Sequence, residues 1–289
     1  MKLPAPAKVN LHLFITGVRA NGMHELDTAF AYVDAMDELS LHPDQRLEVS
    51  CNVPGLAGEQ NLVFRVLAAF REVLGTDQGL RVKVRKRLPL EAGLGGGSSD
   101  AATALMAANV LWNAHWNTDE LMAFAVRYGA DIPCFLFGQA SCASGVGERL
   151  VPYEGPWPEG WILLAWPGSG ASTASVFRHY DAHLALTPGK PLDTMRPACQ
   201  LGSNDLEESA IAVNPSIGQL LQELRRRTRL AWMSGSGSAC IGLFEKRYQA
   251  EKAVREMRSL GLCNWAHIGH LMRRHPVPEL IKKWGVAKR

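Results

Sequence analysis

The run Gly93-Leu94-Gly95-Gly96-Gly97-Ser98-Ser99-Asp100 constrains this chain more than any other segment. It follows Arg81-Val82-Lys83-Val84-Arg85, whose alternation reads as a strand closed by Leu88-Pro89. It precedes a small-residue helix, Ala101 to about Leu111. Glycine admits positive φ and lets a backbone come close to a ligand. The free N–H groups and the dipole at the start of the following helix favour an anion, typically phosphate. A flexible Gly/Ser linker is the alternative, but the segment is short, unrepeated and tightly flanked, so phosphate binding is the stronger reading. No Gly-Lys-Ser/Thr follows, which excludes a Walker A loop, and Ser98 stands where G-x-G-x-x-G needs its last glycine.

Around this loop the chain mixes strands and helices. Residues 7–15 alternate, with Val9, Leu11, Leu13 and Ile15 on one face and Lys8, Asn10 and His12 on the other. An Asn21-Gly22 hairpin turn follows, then an extended segment near 25–34 and short strands at 39–41 and 47–49. Asn61 suits the cap of a helix carrying Leu62, Val66, Phe70 and Val73. A helix at 118–127 leads to Gly129-Ala130-Asp131-Ile132-Pro133. After a Pro/Gly/Trp-rich stretch at 152–160 come a strand at 161–166, helices near 172–182 and 214–226, and strands at 231–233 and 240–244. They enclose Ser234-Gly235-Ser236-Gly237-Ser238, and a helix at 248–260 follows. The expectation is two α+β domains, 1–153 and 154–289.

Composition narrows the function. A net charge of +3 gives no basic field for nucleic acid, and Arg225-Arg226-Arg227 and Lys282-Lys283 read as solvated faces. There is no secretory h-region and no membrane-span-length apolar run. Cysteines 51, 134, 142, 199, 240 and 263 are scattered without a C-x-x-C pair and read as reduced thiols, so a cytoplasmic enzyme or binding protein is expected. His267-Ile268-Gly269-His270 spells a synthetase signature, but near the wrong end of the chain and with no third ligand nearby. No metal-ligating side-chain set is identified.

Leu88 to Ala102 resembles the phosphate loop of the GHMP kinases, and its Gly-Gly-Gly-Ser-Ser version resembles the branch acting on a cytidylyl-linked methylerythritol. Pro6 to Leu11, Asn21 to Leu26, Gly129 to Pro133, Ser203-Asn204-Asp205-Leu206-Glu207 and Met233 to Ser238 resemble that family's other motifs, in the same order along the chain.

The resemblance implies a two-domain GHMP kinase fold, its first domain similar to ribosomal protein S5 domain 2 and its second a GHMP α+β domain. It implies ATP with its phosphates on Leu94, Gly95, Gly96, Gly97, Ser98 and Ser99, and Mg²⁺ with Ser98 or Ser99 offering an oxygen. The reaction implied is phosphorylation of the 2-hydroxyl of the cytidylyl-linked acceptor, by a monomer or weak homodimer without nucleic acid or membrane. Asp131 would be the general base and Lys8 its electrostatic partner. Asp131 before Ile132-Pro133 also suits a helix cap, and both roles are compatible. Asn10 would hold acceptor hydroxyls, His24 would read the cytosine, Phe177 would cover it, and Gly235 and Ser236 would close the substrate side. Met23 departs from the family's tyrosine, losing a planar face while keeping a thioether that packs on rings. The rival readings are a mevalonate- or homoserine-type GHMP kinase, and a non-catalytic S5-like RNA-binding module.

Overall fold

The computed structural model describes residues 1–186 and 200–287. The alternation at 7–15 belongs to a longer strand, Lys2–Val18 (β1), paired antiparallel with His24–Asp44 (β2). In the turn between them Gly22 takes φ 81, and Arg19 N–H donates to the Met23 carbonyl at 2.8 Å. The segments expected separately near 25–34 and 39–41 are one strand. A bulge takes up the irregularity: Ala7 pairs with Val33 and Pro6 with Met36, leaving Asp34 and Ala35 without partners on β1.

Glu48–Cys51 (β3), Gly79–Arg85 (β4), Ser141–Gly145 (β5) and Arg149–Pro152 (β6) extend this sheet in the order β3-β4-β2-β5-β6, with β1 also on β2. Leu62–Leu74 (α1) begins as expected, the Asn61 side chain accepting from Val63 N–H at 2.8 Å. It buries Val63, Val66, Leu67 and Phe70 in the core shared with Gly96–Leu111 (α2). Helix α2 starts inside the glycine run, five residues ahead of the expected Ala101. Thr118–Ala125 (α3) and Ile132–Leu136 (α4) complete this layer.

The chain leaves the first sheet after Pro152 and enters a second at Trp161–Trp166 (β7). That sheet adds Leu230–Met233 (β8), Cys240–Phe244 (β9) and Trp265–Gly269 (β10), in the order β10-β7-β9-β8. Its helices are Thr173–Leu186 (α5), Glu207–Val213 (α6), Pro215–Arg225 (α7) and Arg247–Ser259 (α8). The chain then returns: Leu271–Met272 (β11) pairs with β2, and Val277–Ala287 (α9) packs on α2 and β1. Residues 271–287 of the expected 154–289 unit therefore lie with the first sheet.

The two sheets share a core in which Val9, Leu11 and Ala31 meet Leu164, Trp232 and Ile241. Backbone bonds add to it along the β1 edge: Gly202 N–H donates to Leu11 O at 2.7 Å, Leu13 N–H to Ser203 O at 2.9 Å, and Asp205 N–H to Leu13 O at 2.9 Å. Leu13 and Ile15 pass into a different apolar cluster from Val9 and Leu11, because β1 changes register between Asn10 and His12. Cysteines 51, 134, 142, 240 and 263 are free thiols, and Cys199 lies outside the described residues. Among the described residues no helix is long and apolar enough to cross a membrane.

Candidate active site

The polar face of β1 supplies the centre of the site. Lys8, Asn10 and His12 are each buried; Lys8 and Asn10 line a cleft, whereas a register shift between Asn10 and His12 carries His12 out of that lining. Lys8 Nζ donates to Asn10 Oδ1 at 2.8 Å, lies 3.7 Å from Asp131 Oδ2, and sits 5.2 Å from the centre of the Phe30 ring. The Asp131 side chain is 40% exposed against 5% for Lys8, so the carboxylate faces the opening and the ammonium backs it. Asp131 occupies the cap position of α4, yet its side chain makes no cap hydrogen bond. The carboxylate is free for other work.

Asn10 lines the cleft and is also tied into the protein. Its Oδ1 holds Lys8 and its Nδ2 donates to Thr28 Oγ1 at 2.8 Å, so both ends of the amide are engaged within the protein. It orients the lysine, and the second lone pair and N–H of the amide are not committed by these two bonds. Thr28, which in turn donates to His12 O at 2.5 Å, carries no sequence motif.

The glycine loop lies against this centre. Lys8 N–H donates to Leu94 O at 2.9 Å. Gly95 caps α2 with φ 66 and ψ 19, and a Cβ there would meet Phe135 Cζ at 2.9 Å and Lys8 Cγ at 3.0 Å. The first helical bond runs from Ser99 N–H to Gly95 O at 2.8 Å, leaving the amides of Gly96, Gly97 and Ser98 without an intrahelical acceptor. Leu94, Gly95, Gly96, Gly97 and Ser98 line a depression of about 250 Å³. Ser99 does not reach it: its N–H is committed to the helix and its hydroxyl is buried without a partner.

A second cavity, about 350 Å³, meets this depression at Gly93 and is lined by Lys8, Asn10, Asp131, Met23, His24 and Phe177 among others. Gly235 and Ser236 form its other wall. A Cβ on Gly235 would lie 3.2 Å from Asn10 Oδ1, and Ser236 Oγ is 2.8 Å from Thr173 Oγ1. Asn204 holds this wall, donating from Nδ2 to Met233 O at 3.0 Å and Gly235 O at 2.7 Å. Its neighbour Asp205 accepts from Ile15 N–H at 2.8 Å. The 203–207 motif thus ties the 234–238 loop to β1.

Beneath the glycine loop is a charged cluster that the sequence alone does not reveal, because its members are far apart. The Lys86 ammonium bonds Asp37, which also accepts from Leu88 N–H at 2.9 Å, and bonds Asp100 Oδ2 at 2.8 Å. Burial opposes the Lys86 charge, but Asp100 and Asp37 outweigh it and push the group up. Burial raises Asp100 to about 7, Lys86 pulling it down and Asp37 pushing it further up. The folded chain therefore keeps a proton at Asp100 that the unfolded chain releases in the ordinary carboxylate range. Stability from this group is full below about pH 4 and is lost as pH rises toward 7. His275 runs the other way: burial lowers it to about 3, so its contribution is present above about pH 6.5 and lost as pH falls. Asp100→Asn isolates the first effect. Its stability relative to the parent rises between pH 5 and pH 8 in urea unfolding, and a pH-independent difference would disprove a protonated Asp100.

A larger cavity, about 430 Å³, lies away from Asp131, with Lys2, Asp34, Glu38, Arg87, Trp265 and His267 in its lining. Two ion pairs lie in it, Arg87 with Glu38 at 3.2 Å and His267 with Asp34 at 2.9 Å. The histidines set aside in the sequence are structural: His270 Nδ1 donates to Gly160 O at 3.1 Å.

Residues 61–139 match the GHMP kinases N terminal domain, and residues 189–261 match the GHMP kinases C terminal domain. The chain is 38% identical over 289 residues to a 4-diphosphocytidyl-2-C-methyl-D-erythritol kinase of Pseudomonas entomophila strain L48, covering 98% of each. It is 35% identical to the one from Nitrosospira multiformis, covering 98% of this chain and 95% of the relative. A crystal structure of 4-(cytidine 5'-diphospho)-2C-methyl-D-erythritol kinase superposes with a TM-score of 0.76 at 35% identity, over 94% of this chain and 99% of that one. The L. major mevalonate kinase, in complex with R-mevalonate, shares the fold at a TM-score of 0.70 and 16% identity, over 93% of this chain and 96% of that one.

Proposed function

The chain belongs to the 4-diphosphocytidyl-2-C-methyl-D-erythritol kinase family of GHMP kinases, and on that premise we propose that it transfers the γ-phosphoryl group of ATP to the 2-hydroxyl of 4-diphosphocytidyl-2-C-methyl-D-erythritol. The products are ADP and the 2-phosphate, a step of the non-mevalonate route to isoprenoid precursors. The observation carrying this reading is the Lys8–Asp131 pair, set where the glycine-loop depression meets the cavity lined by His24 and Phe177.

In this reading the amides of Gly96, Gly97 and Ser98 hold the nucleotide phosphates at the positive end of α2. Asp131 accepts the proton of the attacking hydroxyl. Lys8, kept in place by Asn10, balances charge on the acceptor oxygen and the moving phosphoryl group. Residues 1–153 supply the ATP side and the base, and the second sheet with its 234–238 loop closes the acceptor side.

Mg²⁺ supplies charge neutralisation between the transferring groups. Among the described residues no three His, Cys, Asp or Glu side chains gather into an ion site. Mg²⁺ generally keeps several waters and takes substrate phosphate oxygens as ligands. Ser98 is the protein oxygen that fits it: the residue lines the phosphate depression, and its hydroxyl lies 3.8 Å from the point where a Cβ on Gly129 would stand. The protein works in the cytoplasm, as a monomer or weak homodimer, without nucleic acid.

The test is ADP release with ATP and Mg²⁺, comparing the cytidylyl acceptor with mevalonate and homoserine. Turnover with the cytidylyl acceptor alone is expected. Turnover with another acceptor, or with none, overturns the assignment.

A further inference from the structure

Helix α5 meets the β1–β2 hairpin through one imidazole. His24 Nε2 lies 2.6 Å from Asp181 Oδ1. Phe177 covers the ring at a centroid distance of 4.5 Å and a tilt of 34°, and Tyr180 presents its edge at 6.3 Å. Positions 177, 180 and 181 follow i, i+3, i+4 spacing, so a single face of α5 grips His24. The His24 side chain is only 10% exposed.

A carboxylate can only accept, so the imidazole donates from Nε2. Nδ1 has no partner among the described residues, and in the neutral ring it is an acceptor. His24, Phe177 and Met23 all line the acceptor cavity. Met23 is 47% exposed and has no planar face, so recognition of a ring falls more heavily on the group whose orientation is fixed.

We propose that Asp181 is a positioning residue for nucleobase recognition, holding the proton on His24 Nε2 so that Nδ1 offers an acceptor to the exocyclic amine of a cytosine ring. Uracil would place a carbonyl there, acceptor against acceptor, and a mispaired buried polar group is costly. Asp181 thus acts on base identity through His24, 157 residues away in sequence. The inference rests on the cytidylyl reading of the function.

Asp181→Lys is the decisive variant, because an ammonium only donates and forces Nε2 to accept. Imidazole ¹⁵N spectra of the ligand-free protein are expected to move His24 from Nε2–H to Nδ1–H. Titration with CDP and UDP, the ATP site filled by a non-hydrolysable analogue, should show about tenfold weaker CDP binding, the scale of one mispaired hydrogen bond. The CDP/UDP preference should fall by a similar factor, while affinity for the non-hydrolysable ATP analogue holds within about twofold. Asp181→Glu retains the parent tautomer and preference. An unchanged tautomer, or an unchanged CDP affinity and CDP/UDP ratio, overturns the proposal. Neither readout needs turnover, so a protein inactive on the cytidylyl acceptor would overturn the proposed reaction while the role of Asp181 is still decided by its own measurements.

Discussion

Asp131→Asn is expected to lower kcat by about 10²–10⁴-fold, the usual weight of a positioned general base, with both KM values within a few-fold of the parent. The stability cost is expected to be small, about 1 kcal/mol or less, because the side chain makes no cap hydrogen bond and is 40% exposed. Lys8 keeps Asn10 Oδ1 at 2.8 Å and the Phe30 ring when the carboxylate is lost, so it is not left without partners. The same geometry predicts that Asp131→Ala and Asp131→Asn unfold alike. A capping aspartate would separate them, since asparagine caps nearly as well and alanine costs about 1 kcal/mol. Steady-state kinetics and thermal unfolding on both variants distinguish the roles. Retained kcat removes Asp131 as the base, and a selective loss of stability in the alanine variant restores it as a cap.

What the sequence revealed and what it hid divide along physical lines. Local signals held: the Asn61 cap and the Asn21-Gly22 turn depend on neighbours within a few residues. The polar stripe of Lys8, Asn10 and His12 was visible as alternation, but its burial was not, since Lys8 and Asn10 are covered by distant segments, the glycine loop at Gly95 and the 234–238 loop at Ser234 and Gly235. The start of α2 was placed late because glycine is the poorest helix former short of proline. Tertiary contact, Lys8 N–H to Leu94 O, helps to hold the loop where the helix begins. The hairpin of β5 and β6 was missed because Ser-Cys-Ala-Ser-Gly shows neither strong alternation nor β-branched residues. Lys86 with Asp37 and Asp100, and the Asp181 partner of His24, went unremarked because the members of each contact are far apart in sequence until the fold brings them together. The glycine loop stood out from one segment, whereas the long-range contacts around it did not.

Gly93→Ala is expected to destabilise the protein by about 2–5 kcal/mol, combining the cost of a left-handed conformation with overpacking. Gly93 has φ +74, and a Cβ there would lie 2.5 Å from Ser234 O and 2.8 Å from Gly237 O. Neither carbonyl can retreat easily. Ser234 N–H is bonded to Ala239 O at 3.0 Å, Gly237 N–H to Ser234 O at 3.0 Å, and Asn204 braces Gly235 O at 2.7 Å. At about 2–4 °C per kcal/mol, the melting temperature should fall by roughly 4–20 °C. Gly97→Ala is the contrasting case, for Gly97 has no positive φ and a Cβ there meets nothing within 4 Å. Its melting temperature should not fall, since alanine is the better helix former, but KM for ATP should rise if phosphate approaches the bare backbone. Two glycines four residues apart would then answer to different demands. Gly93 lets the glycine loop cross the 234–238 loop, and Gly97 leaves room for the nucleotide. Thermal unfolding and ATP kinetics on the two variants decide the matter. A stable Gly93→Ala protein would mean that the two loops are not locked at their crossing, and an unchanged ATP KM in Gly97→Ala would put the phosphates elsewhere.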